Sequence, residues 1–182
     1  MLGLLQDYRL AVGSGFAEGH AVYLLGETLP ELGGSEFAEV VLGTIAGRAP
    51  ALDLEAEQRL NLLLLEASGA DLLASAHDCS EGGLAIALAE SAIAGGTGFA
   101  VGLPGDLPPH VALFSESASR VVVSVDPARA AELEDLAGTL GLPLARLGET
   151  GGPRIVVDSV LDLALIEATA AYEEAIPKLL AG

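Results

Sequence analysis

The stretch Val121-Val122-Val123-Ser124-Val125 constrains the fold more than any other. Successive residues of a strand point to opposite faces, so this run presents apolar side chains on both. Such a strand is stable only where both faces are covered, which predicts a sheet flanked by helices. The residues that follow fit that arrangement. Asp126 caps a helix, Pro127 sits at its first position, Ala130, Leu133, Ala137 and Leu140 form a buried stripe, and Gly141 ends it.

The rest of the chain alternates in the same way. Ala21 to Leu25 and Phe99 to Leu103 read as strands. Gly33-Gly34-Ser35-Glu36 opens a helix to about Leu42, with Ser35 as N-cap. Pro50 and Asp53 begin a second, whose Ala56, Leu60, Leu63, Leu64 and Ala67 keep helical spacing up to Gly69. A short strand is expected over 72–76, and a helix over 82–94 that Gly95-Gly96-Thr97-Gly98 breaks. Leu142 to Leu147 and Arg154 to Val157 read as strands joined through Glu149-Thr150-Gly151-Gly152. Ser159 and Asp162 form a capping-box pattern for a last helix running toward Pro177. The expected class is α/β, a layered mixed β-sheet flanked by helices. Residues 1–19 are read as a linker and 20–182 as the domain.

Composition narrows the function classes. Hydrophobic residues are 51% of the chain and aromatic ones 4%, so the core is aliphatic. Acidic residues number 26 against 8 basic ones, and a net charge of −18 repels nucleic acid and anionic membranes. A phosphate would need backbone N–H groups, a metal ion or basic residues from elsewhere. No apolar run approaches the roughly 18 residues of a membrane span. No basic segment opens the chain as in a secretory signal, and the single cysteine, Cys79, excludes an internal disulfide. Both points fit a cytoplasmic protein. Asp78 and Glu81 flank Cys79 and oppose a thiolate, which favours a buried structural cysteine over a nucleophile.

Three segments carry candidate chemistry. In the first, His77, Asp78, Ser80, Glu81, Gly82 and Gly83 lie where a strand turns into a helix. They read either as a ligand or metal site or as a structural motif in which Asp78 or Ser80 caps the helix and His77 bonds to backbone. The structural reading is favoured, because a helix start occupied by its own carboxylates holds a second anion poorly. In the second, Ser115, Glu116 and Ser117 suit recognition of amide and hydroxyl groups, against the favoured reading of a loop in which Arg120 pairs with a carboxylate. In the third, Gly33 and Gly34 could cradle a phosphate, but no lysine accompanies them, and a turn before a capped helix is favoured. His20 and His110 are isolated and receive no role. No catalytic residue and no metal set is assigned.

These segments also carry a resemblance. His77-Asp78-Cys79-Ser80-Glu81-Gly82-Gly83-Leu84-Ala85 resembles a signature of the phosphoribosylformylglycinamidine synthases. Tyr23-Leu24-Leu25-Gly26-Glu27-Thr28 with Glu31-Leu32-Gly33-Gly34-Ser35-Glu36-Phe37 resembles the opening of their last domain, and Phe114-Ser115-Glu116-Ser117-Ala118-Ser119-Arg120 resembles a Phe-x-Glu-Ser-x-Ser-Arg segment. The blocks stand in the family's order, and the resemblance covers essentially the whole chain. It implies the C-terminal domain type of the aminoimidazole ribonucleotide synthetase superfamily. The parent would be an ATP-dependent C–N ligase of de novo purine biosynthesis, converting formylglycinamide ribonucleotide to formylglycinamidine ribonucleotide with glutamine-derived ammonia.

The same resemblance implies that ATP and magnesium are held by other domains, with no cofactor in this part. The implied partners are the remaining domains of the enzyme, a glutaminase and a small accessory subunit. The chain is expected to be a C-terminal fragment, inactive alone, forming a wall beside a second, pseudo-symmetric site and self-associating through an uncovered apolar face. In the family a Glu-Ser-Gln segment of the first half contacts substrate. Here Ala118 stands at the Gln position, and the segment resembles the second-half copy. Two other classes remain: a selenophosphate synthetase or hydrogenase maturation factor type, whose motif differs at 77–81, and a free-standing binding module.

Overall fold

A computed structural model describes residues 7–180. Within them seven strands form one sheet: β1 (Ala21–Leu25), β2 (Ser75–Asp78), β3 (Phe99–Val101), β4 (Val121–Val125), β5 (Leu144–Thr150), β6 (Arg154–Val157) and β7 (Leu161–Ala164). Among the described residues six helices accompany it: α1 (Glu36–Leu42), α2 (Leu54–Gly69), α3 (Gly83–Gly95), α4 (Pro109–Phe114), α5 (Ala130–Leu140) and α6 (Leu165–Leu180). The strand order is β2-β4-β1-β5-β3-β6-β7. All neighbours are antiparallel except β3 and β6, so the sheet is mixed as expected.

The valine strand behaves as its composition requires. Every residue of β4 is buried, and so is every residue of its neighbour β1. Alternation sorts β1 between two cores. Val22 and Leu24 join Leu84, Leu88 and Ala92 of α3, while Tyr23 and Leu25 join Leu60 and Leu63 of α2 and Leu133 of α5. Burying a side chain of this size contributes about 1.5–3 kcal/mol, so the centre of the sheet carries much of the stability. Local chemistry sets the helix starts: Ser35 Oγ accepts from Ala38 N, Asp53 Oδ1 from Glu55 N and Ala56 N, and Asp126 Oδ1 from Ala128 N. Gly141 closes α5 in a left-handed conformation, and a 3-10 turn at Pro127–Arg129 precedes that helix.

Four expectations change. Strand β2 begins at Ser75, where the ladder to β4 starts, not at residue 72. Leu72 and Leu73 are buried ahead of it under α2 and α5, so His77 and Asp78 are strand residues. The capping box of Ser159 and Asp162 does not form. Ser159 lies in a turn at φ +60°, and Asp162 is inside β7 with its carboxylate on Arg154 Nε. The last helix starts at Leu165 and carries Pro177 within it. The strand read over Leu142 to Leu147 runs instead from Leu144 to Thr150, so Glu149 and Thr150 belong to β5 and not to the connection, and β3 lies between β5 and β6. The short helix α4, begun by Pro108 and Pro109, was not expected. Ahead of β1, Phe16 is buried edge-on against Phe99, at 6.1 Å between ring centroids, and its N–H donates to Ser91 O.

Candidate functional site

The three singled-out segments meet at one place. The loop between α4 and β4 holds the other two through Glu116. One carboxylate oxygen, Oε1, accepts from Glu36 N at 2.9 Å and from Gly82 N at 2.8 Å. A single side chain thus ties the first residue of α1 to the turn before α3. Ser115 Oγ accepts from Glu31 N at 3.2 Å, and Ser117 Oγ accepts from Leu29 N and donates to Leu29 O. Ser115 and Ser117 are both buried, so their hydroxyls stitch the β1–α1 loop to this loop.

Glycines allow the close approach. Gly83 has φ +64°, and a Cβ there would collide with the carbonyl oxygen of Ser115. Gly26 has φ +86°, and its Cβ would collide with the carbonyl oxygen of Ser119. Both positions need a residue without a side chain, for conformation and for space. Gly33 and Gly34 do something different. Gly33 abuts the backbone of Arg48, and Gly34 donates its N–H to Ala46 O. They close the turn onto the following loop, and the Gly34 N–H is already used.

Arg120 lies beneath this loop at 2% exposure. Its Nε donates to Ser117 O, Nη1 to Thr28 Oγ1 and Nη2 to Ser115 O. The expected carboxylate pairing is absent; all three acceptors are neutral. Burial pushes its pKa down, while Cys79, Glu31 and Glu116 nearby push it up. A planar guanidinium with donors fanned in fixed directions suits such a clamp on carbonyls.

The motif at 77–83 also departs from the self-capping expectation. No side chain caps α3, whose N-cap is Gly82. Asp78 instead accepts from the Ser80 hydroxyl. His77 Nδ1 lies 2.9 Å from Asp78 O and its Nε2 lies 3.0 Å from Glu90 Oε2. Cys79 is buried, and burial pushes its thiol up to about 11, which keeps it protonated and unreactive at neutral pH.

Between α1 and α3 lies an open cleft of about 840 Å³. Phe37, Val40, Val41, Ile86, Ala87 and Phe114 supply its apolar lining, and Glu36, His77, Asp78, Ser80, Glu81 and Glu90 its polar lining. Phe37 stacks on Phe114 at 5.3 Å and on His110 at 5.9 Å, which gives His110 a packing role. Among the described residues, the lining includes no lysine or arginine. Among the described residues, no group of three or more His, Cys, Asp or Glu is placed to hold a metal ion.

Glu116 was singled out from the sequence, but not as a bridge, since its partners lie 80 and 34 residues away. Phe37, Val40, Val41, Ile86 and Glu90 were missed as lining. The one available signal was Val40-Val41-Leu42 with Ile45, more apolar than a seven-residue surface helix needs.

Fold and site together define a three-layer α/β domain with its strand–helix loops bound into one cluster. Residues 17–159 match the family described as AIR synthase related protein, C-terminal domain, and the chain belongs to that family. A phosphoribosylformylglycinamidine synthase subunit PurL from Moorella thermoacetica is 45% identical over 186 residues, covering 100% of this chain and 25% of that protein. One from Thermobifida fusca is 46% identical over 184 residues, covering 98% and 24%. The chain thus spans about a quarter of the length of these relatives. Among solved structures, Thermotoga maritima PurL complexed with FGAR superposes with a TM-score of 0.75 at 24% identity, over 88% of this chain and 30% of that one, which shows the fold.

Proposed function

We propose that the chain serves as the last domain of a phosphoribosylformylglycinamidine synthase. The parent would be a cytoplasmic, ATP- and magnesium-dependent C–N ligase that converts formylglycinamide ribonucleotide to formylglycinamidine ribonucleotide with ammonia from glutamine. The observation that carries this reading is the whole-chain match to PurL, in which the three segments resembling that family are the ones Glu116 gathers into one cluster. The domain's part is structural. Ser115 and Ser117 are buried and engaged, Glu116 is occupied by two backbone N–H groups, and the cleft offers no cation for a phosphate. Activation of the amide oxygen falls to other domains, and this domain holds one wall of the second, pseudo-symmetric site. Its partners are those other domains, with a glutaminase and a small accessory subunit in the complex.

Two measurements test the reading. The purified chain, given formylglycinamide ribonucleotide, ATP, magnesium and ammonia, is expected to form no product; measurable conversion overturns the structural role. Exchanging these residues for the matching quarter of Moorella thermoacetica PurL is expected to leave an active ligase. A folded but inactive chimera argues against the assignment.

A further inference from the structure

We propose that the cleft between α1 and α3 is a docking surface for a basic, amphipathic segment of a partner protein. The argument stands on the cleft and does not need the ligase reading.

The first observation is the apolar wall. Val40, Val41 and Ile86 line the cleft while exposed at 77%, 61% and 41%. Leu42 and Ile45 continue the exposed apolar strip beyond it. Ala38 is the one buried residue of α1. The helix is held instead by its cap, by the Phe37 stack and by Glu116. A contiguous apolar patch of this kind on a domain surface marks an interaction site.

The second observation is the rim. Four carboxylates, Glu36, Asp78, Glu81 and Glu90, line the same cleft, and His77 is the only lining group able to carry positive charge. Apolar surface beside this excess of carboxylates is complementary to a segment that alternates apolar side chains with Lys or Arg.

The third observation argues against a second copy as occupant. Of the eight basic residues, Arg9, Arg59, Arg129, Arg146, Arg154 and Lys178 already face carboxylates of this chain. Arg120 is buried. Among the described residues that leaves Arg48 to answer four carboxylates, and two chains of −18 repel each other. The complementary charge therefore comes from a different protein surface.

The probe is a synthetic peptide of about four helical turns with leucine at i, i+3, i+4 and i+7 and lysine elsewhere. Fluorescence anisotropy of the labelled peptide against the 182-residue chain reads the affinity. One-to-one binding is expected, weakening about tenfold or more as salt rises from about 0.05 to about 0.5 M. Glu81→Lys and Val41→Ser are each expected to weaken it about fivefold or more. Both sites are exposed, so the fold is retained. Glu173→Lys makes the same charge change on α6, outside the lining, and is expected to change affinity less than about twofold.

Five results overturn the proposal. One is no binding, and another is equal binding of a peptide with glutamate in place of lysine. Equal loss in Glu81→Lys and Glu173→Lys would mean general charge attraction. Displacement of the peptide by spermidine at similar concentration would assign the cleft to a small amine. A dimer in sedimentation that strengthens with salt and is dissolved by Val41→Ser would assign it to a second copy.

Discussion

Removal of the Glu116 carboxylate tests the central feature of the site. Its Oε1 accepts from Glu36 N and Gly82 N, and α3 has no side-chain cap of its own. Each hydrogen bond to a charged acceptor has a net worth of about 1.5–3 kcal/mol. Glu116 is half-buried, so water takes up part of what is lost in Glu116→Ala, and alanine avoids the side-chain ordering cost of up to about 2 kcal/mol that glutamate carries on folding. The net loss worked from these opposing effects is about 2 kcal/mol. Glu116→Gln keeps an oxygen in place and removes only the charge, so it should cost about half as much. Equilibrium urea unfolding gives both values. Native-state amide exchange supplies a local readout, since the Gly82 and Glu36 amides should lose protection in Glu116→Ala and largely keep it in Glu116→Gln. A Glu116→Ala chain as stable as the parent within about 0.3 kcal/mol, with both amides still protected, would refute the bridging account.

Asp78→Ala is expected to change stability by less than about 0.5 kcal/mol in urea unfolding, because Asp78 caps no helix; a cost of about 1 kcal/mol or more would restore the capping reading. Gly83→Ala forces a left-handed alanine into the Ser115 carbonyl and should cost about 3 kcal/mol or more, lowering Tm by roughly 6–12 °C; a loss under about 1 kcal/mol would mean the loop is not seated there. Stability should fall at alkaline pH. The fold raises the Cys79 thiol from 9.0 to about 11, chiefly by burial, so its contribution is complete below about pH 9 and is lost as pH climbs through about 11. Two units correspond to roughly 2–3 kcal/mol. Tyr23, raised from 10.0 to about 12 by burial first and then by Glu134, adds a similar loss in a higher window. Unfolding curves between pH 8 and 11 for the parent and Cys79→Ala measure this, and equal slopes would contradict it.

The sequence by itself determined what depends on neighbours within a few residues. Ser35, Asp53 and Asp126 accept from N–H groups two or three positions ahead, so their caps can be read from residue type alone. Val121–Val125 has nowhere stable to go but the middle of a covered sheet, whatever the rest of the chain does. The tertiary structure decided where the energetics depend on residues far apart. Strand β2 starts where β4 offers a ladder, and Asp162 joins a strand because Arg154 and β6 lie beside it. No periodicity in Leu142–Val157 reveals that β3 inserts between its two strands. The site shows the same division. The segments that build it were visible as polar, glycine-rich turns, but a glycine's neighbour and a carboxylate's partner are properties of the folded chain. Glu116 meets Glu36 and Gly82 because α4 packs on α3 and carries the loop to them, and without that packing all three would be ordinary surface polar groups.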